Sequence, residues 1–251
     1  MAFGLGLANF LMSYSVQPEC TETLGAQLMS GCSNMAFFAS VFAALFLGTD
    51  HSNGTIRNKL IVGHKRYNIY LSNLITTAAG GLLIMAAVWT GVLITGLCLG
   101  GKIGMPAGEL ALKMLICVGA IIAISAIFTL LGTILSSKST IVTITLVSTF
   151  VLFIGAAVIE SLLAEPEYVQ NYEMAVNGSF VQTEPMLNPI YVSGVKRDIL
   201  MTVNEVLPSG QIMQMEIGIG RHAELMPLYS LGVLTVVTAV GALVFRKKDL
   251  K

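Results

Sequence analysis

Residues 114–137 read MLICVGAIIAISAIFTLLGTILSS, without one charged residue between Lys113 and Lys138. About 20 mostly apolar residues in a helix cross the hydrocarbon core of a bilayer, so this stretch is long enough to span. Similar intervals recur on either side of it. The expected spans lie at about 27–49, 68–100, 112–136, 140–163 and 226–245, and the uncharged start at 1–18 reads as a partial span. The whole chain of 251 residues is 55% apolar and only 11% charged, and its mean hydropathy is +0.79. Soluble domains run near a quarter charged. The expected fold is therefore an all-α polytopic membrane protein forming a single transmembrane domain over 1–251.

The zero net charge conceals a segregation along the chain. With the connector at 50–67 placed inside, that side holds Arg57, Lys59, Lys65, Arg66, Lys138, Arg246, Lys247, Lys248 and Lys251 against only Asp50 and Asp249. The other side holds Lys102, Lys113, Lys196, Arg197 and Arg221 against all the remaining acids. Lys and Arg of short loops stay cytoplasmic. The expected topology is six crossings with both termini in the cytoplasm.

Residues 164–225 form a long connector on the outer side, too long to lack structure in a compact protein. Within it Ile199, Val203 and Val206 share helical spacing, with Lys196, Arg197, Asp198 and Glu205 at the other positions. That pattern predicts an amphipathic helix lying in the membrane interface. Leu207, Pro208, Ser209 and Gly210 break it, and Gln211 opens a partly apolar return towards the last span.

Signatures of catalysis are missing. The sequence has no GxxxxGK[ST], HExxH or GxSxG, and His51, His64 and His222 are scattered. Cys20, Cys32, Cys98 and Cys117 show no zinc or redox spacing, although Cys20 and Cys32 share one connector and could be bridged facing an oxidising space. No catalytic, metal or cofactor-binding residue is assigned. Glu160 is the one acid placed within a span; intramembrane carboxylates are functional candidates, but its position in the last turn lets it reach the outer interface. Asn177-Gly-Ser reads as a chance sequon. Ala36, Ser40, Ala44 and Gly48 recur every four residues and set small side chains along one face. Such a face serves either packing within one chain or contact between two subunits.

The most distinctive stretch is the connector DHSNGTIRNKLIVGHKRYNIYLS, starting at Asp50. It predicts a short amphipathic helix capped by Ser52 or Asn53, with Ile56, Leu60 and Ile61 on one face, Arg57 and Lys59 elsewhere, and Gly63 at its end. Such a helix can rest on lipid headgroups or present an apolar knob to a cytoplasmic partner.

In this stretch the chain resembles the permease subunits of ABC-2 type transporters, particularly small bacterial ones. The resemblance rests on Asp50 four before Gly54-Thr55, the run Thr55-Ile56-Arg57-Asn58-Lys59-Leu60, the basic pair Lys65-Arg66, the following Ile69-Tyr-Leu-Ser, and the stretch Glu205-Val-Leu-Pro-Ser-Gly-Gln211. It implies a six-helix, type V exporter-like transmembrane domain with a cytoplasmic coupling helix and an extracellular helical segment before the last span. By resemblance Asp50 and Gly54 through Leu60 engage a separate ABC ATPase subunit, and Leu207 through Gln211 form an extracellular gate. Ala36, Ser40, Ala44 and Gly48 are then candidates for contact with a second permease subunit, in a homo- or heterodimer.

The resemblance further implies a cell-membrane protein that is not itself an enzyme and binds no nucleic acid, with ATP and Mg held by the partner ATPase. The start at Met1-Ala-Phe-Gly-Leu-Gly departs from the family, whose members begin with a basic amphipathic helix and a full first span. An N-terminally shortened chain is therefore expected. A different class of protein fits the same connector: a non-transporting assembly or sensory subunit that docks a cytoplasmic partner.

Overall fold

The computed structural model describes residues 24–99, 101–170, 172–174, 180–182, 184–217 and 221–248. The partial span at 1–18, Cys20 and the Asn177 sequon lie outside them. The described chain runs α1 (Leu24–Met29), α2 (Cys32–Ser52), α3 (Thr55–Ile61), α4 (Arg66–Cys98), α5 (Ala107–Ile134) and α6 (Lys138–Ala164). Four short strands follow, β1 (Tyr168–Val169), β2 (Tyr172–Met174), β3 (Phe180–Gln182) and β4 (Met186–Leu187). The chain ends with α7 (Gly194–Val206), α8 (Pro208–Ile217), a 3-10 turn at Ala223–Leu225 and α9 (Met226–Lys247).

Five helices are long and apolar enough to cross a membrane: Leu24–Ser52, which joins α1 to α2, then α4, α5, α6, and Ala223–Lys247. They match the five full spans expected from the sequence. Their outward faces carry large apolar side chains such as Leu45, Ile75, Leu83, Phe150, Ile154, Leu231 and Val236. So much exposed apolar surface is costly in water and normal in lipid. The architecture is that of an all-α multi-pass membrane protein.

Helix α5, which carries most of the uncharged stretch 114–137, sits in the middle, packed against α9, α4, α2 and α8. Its Ile116, Cys117, Ala120, Ile121, Ile124 and Phe128 join Met35, Ala36, Ala39, Met85, Trp89 and Phe153 in the main core. Small residues decide how closely these helices approach. A Cβ on Gly80 of α4 would collide with the Phe42 ring of α2, so that ring fits because position 80 has no side chain.

The bundle has two distinct ends. One carries α3, the start of α4 and the end of α9; the other carries the strands, α7 and α8. At the strand end β1 pairs antiparallel with β4 and β2 antiparallel with β3. The sequence had predicted no strands there. Such ladders are two or three residues long, too short for period-2 patterning to register.

Candidate functional site

Helix α3 is built as a bracket between α2 and α4. Its N-cap is Gly54, at φ +64°, and no side chain caps it, contrary to the Ser52 or Asn53 expected. Glycine reaches this left-handed geometry without a Cβ penalty, so the chain turns sharply between α2 and α3. At the other end Gly63, at φ +96°, lets the Gly63 N–H reach the Leu60 carbonyl and the His64 N–H reach that of Lys59. This is a Schellman closure, at the glycine where the sequence ends the helix.

Two attachments hold α3. Asp50, 8% exposed in the last turn of α2, accepts from Lys59 Nζ of α3 at 3.4 Å and from Asn73 Nδ2 of α4 at 3.1 Å. One buried carboxylate thus joins three consecutive helices. Removing a partner from a buried charge leaves its desolvation uncompensated. The second attachment is apolar: Ile56 is 4% exposed and packs with Ile69, Tyr70 and Phe245, flanked by Leu60, Leu71 and Ala242. Burying one such side chain contributes about 2 kcal/mol.

The face of α3 turned outward differs from the one predicted. Ile56 serves the chain's own core and Leu60 is half-buried, while Ile61 and Val62 stand 73% and 79% exposed. Arg57 and Asn58 are exposed as well, and Gly54, Thr55 and Lys59 are half-buried. Ile56 is thus taken up by packing within the chain. The apolar knob is Ile61-Val62, bordered by Arg57, His64 and Lys65. The sequence grouped Ile56 with Ile61 by helical spacing, but α3 is only seven residues long and α4 with α9 choose which side is covered.

The same end is clasped by two cations. Arg66 donates to the carbonyls of Phe245 and Lys248, at the C-terminus of α9. Lys248 Nζ donates to the carbonyls of Thr133 and Leu135 at 2.8 and 2.7 Å, at the C-terminus of α5. The final carbonyls of a helix have no partner within it and attract positive charge. Burial holds the Lys248 ammonium below its ordinary pKa.

At the strand end, the predicted break at Leu207-Pro208 is present but leads inward. Pro208 holds Leu207 in extended geometry, ending α7, and begins α8. Pro208, Ser209, Gly210 and Gln211 are all buried, and α8 runs into the bundle against α5, α6 and α2. A Cβ on Gly210 would collide with the Asn204 carbonyl, so the turn closes only over glycine. Gln211 Nε2 donates to the carbonyls of Glu205 and Met226 at 2.7 and 3.2 Å, and Gln211 Oε1 accepts from Ser230 Oγ at 2.6 Å. Ser209 Oγ donates to the Leu152 carbonyl of α6 at 2.9 Å. Four elements meet at this polar junction.

Polar residues that the sequence reading passed over or placed outward complete it. Glu160 does not reach the surface: it is 8% exposed and accepts from Asn204 Nδ2 at 2.5 Å. Glu205 is 3% exposed and accepts from the His222 backbone N–H at 3.2 Å. The expected apolar face of α7, Ile199 and Val203, is the exposed one, while Asn204 and Glu205 face inward. A cavity of about 80 Å³ lies here, lined by Glu160, Arg197, Met201, Glu205, Gln214 and Arg221 among others. In α8, Glu216 receives the Ser33 N–H at 2.7 Å and Ser33 Oγ at 2.8 Å, capping the first turn of α2. Burial pushes its carboxyl pKa up, and the two Ser33 donors oppose that.

The stripe Ala36, Ser40, Ala44 and Gly48 is buried under the chain's own helices. Gly48 lies against Lys138 and Val142 of α6. Of the two uses read from the sequence, packing within the chain is the one observed. Cys32 faces Cys117 of α5 across 3.4 Å in the core, and both are free thiols. Among the described residues no group of three or more His, Cys, Asp or Glu could hold a metal ion. No protein-family model matches the chain, and no curated protein does.

Proposed function

We propose that this chain is the membrane subunit of an ATP-binding cassette transporter, working as an exporter in the cell membrane with the α3 end in the cytoplasm. The carrying observation is the construction of α3. It is tied to α2 and α4 through Asp50 and to α4 and α9 through Ile56, and it displays an apolar pair bordered by cations. A force applied to Ile61-Val62 by a nucleotide-driven partner is transmitted to three spans at once. ATP hydrolysis belongs to that partner, a cytoplasmic ABC ATPase. A second permease subunit completes the path, and the junction at Leu207 through Gln211 opens or closes its outer mouth. The segregation of basic residues to the α3 end supports the orientation.

The test is double replacement of the exposed pair, Ile61→Asp with Val62→Asp, in the full chain co-expressed with a candidate ABC ATPase. The expected result is loss of co-purification and at least a tenfold fall in stimulated ATP hydrolysis, with the membrane subunit still monodisperse. Retained binding and stimulation would remove α3 as the coupling element. Partner binding through α3 without any nucleotide-dependent transport would favour the assembly or sensory subunit.

A further inference from the structure

Beside α3, between the first turn of α4 and the last two turns of α9, lies a separate cleft of about 690 Å³ lined by Lys65, Arg66, Tyr67, Ala239, Ala242, Leu243 and Arg246. Its floor is small and apolar and its rim is basic; no lining residue is acidic. The Arg66 guanidinium is engaged by the end of α9, which leaves the Lys65 and Arg246 side chains free of any acidic partner among the described residues. The cleft also borders the first turn of α4, where the N–H groups of Arg66 and Tyr67 have no preceding turn to receive them and no acid stands. Both a helix N-terminus and two cations thus favour an anion in this cleft.

Position says what kind of anion. Arg66 is the first residue of one span and Lys247 the last of another, so the rim lies at headgroup depth. Below it Val236, Val240 and Leu243 form an exposed apolar strip along α9, and Tyr67 stands 54% exposed at the boundary, where amphipathic rings settle. We infer that this cleft binds one anionic phospholipid, with its phosphate between Lys65, Arg246 and the α4 N-terminus and an acyl chain along Ala239, Leu243 and Val236. A zwitterionic lipid offers the same chains without net charge, so charge is the discriminator. The inference is independent of the transporter reading.

The experiment is native mass spectrometry of the detergent-purified full chain, titrated separately with dioleoyl-phosphatidylglycerol and dioleoyl-phosphatidylcholine. Phosphatidylglycerol should be retained as one tight adduct, and phosphatidylcholine should not. Each cation near an anionic lipid contributes about fivefold, so Lys65→Gln with Arg246→Gln should weaken that adduct about thirtyfold. Lys102→Gln with Lys196→Gln, at the other end, should leave it unchanged. Ala239→Phe, which fills the floor and keeps both charges, should also displace it. Inorganic phosphate at millimolar concentration should not compete. Equal retention of both lipids, unchanged affinity in the Lys65/Arg246 variant, or displacement by phosphate alone would overturn the assignment.

Discussion

Single carboxylates carry a large share of the organisation of this protein. Asp50 closes the α3 end by accepting from Lys59 and Asn73, and Glu216 closes the first turn of α2 by accepting from Ser33. The second of these also responds to pH. Burial raises the folded-state pKa of Glu216 above its ordinary 4.5, so the folded chain holds that proton more tightly than the unfolded one. Its contribution to stability is greatest at low pH and falls as pH rises from about the ordinary value through the raised one. Glu216→Gln removes the titration while keeping an acceptor for Ser33. Thermal unfolding in detergent across that window should show a flatter pH dependence than wild type; an unchanged slope would mean that another group is responsible. Asn73 had a signal in the sequence, a hydrogen-bonding side chain inside an apolar interval. Its pairing with Asp50 had none, because it depends on how α2 and α4 are set side by side.

At the scale of elements, the decisive feature is the sharp join of α7 to α8. Helix α7 is amphipathic as the sequence predicted, yet it buries Asn204 and Glu205 and exposes Ile199 and Val203. For a helix at a membrane boundary an apolar face turned outward finds lipid, and an inner polar face finds Glu160, Gln211 and His222. The turn itself was legible, since proline constrains the residue before it and begins a helix well. That α8 then enters the bundle was not legible, because Gln211-Ile-Met-Gln-Met carries too little periodicity to announce a buried face. Gly210→Ala tests the close approach to Asn204. Overpacking of this kind costs about 1–3 kcal/mol, so the melting temperature should fall by several degrees, whereas Gly155→Ala, with open space around its Cβ position, should leave it unchanged. Equal effects at the two positions would show that the α7–α8 junction yields easily.

Over the whole molecule, charge is distributed between two ends joined by apolar spans. With the α3 end in the cytoplasm, a cysteine introduced at Val62 in a chain lacking its native cysteines should resist a membrane-impermeant maleimide in intact cells and react after permeabilisation. One at Met186 should react in both. The reverse pattern would invert the topology and with it the placement of any cytoplasmic partner on α3.

Local composition alone carries the five spans, their limits within a few residues, the short helix ending at Gly63, the break at Pro208, and the imbalance of charge between the two ends. These are set by transfer of apolar residues to lipid and by backbone preferences, both of which act on neighbours in the chain. Tertiary structure alone decided which of equivalent faces is covered. The stripe Ala36, Ser40, Ala44 and Gly48 went to packing within the chain because α6 and its neighbours reach it first, and Ile56 was taken into the core while Ile61 and Val62 were left out. In lipid every span is apolar on all sides, so hydrophobic pattern cannot distinguish a face that meets lipid from one that meets another helix. That choice falls to small residues and to buried hydrogen bonds between distant positions, such as Glu160 with Asn204 and Glu216 with Ser33, which exist only once the helices are side by side.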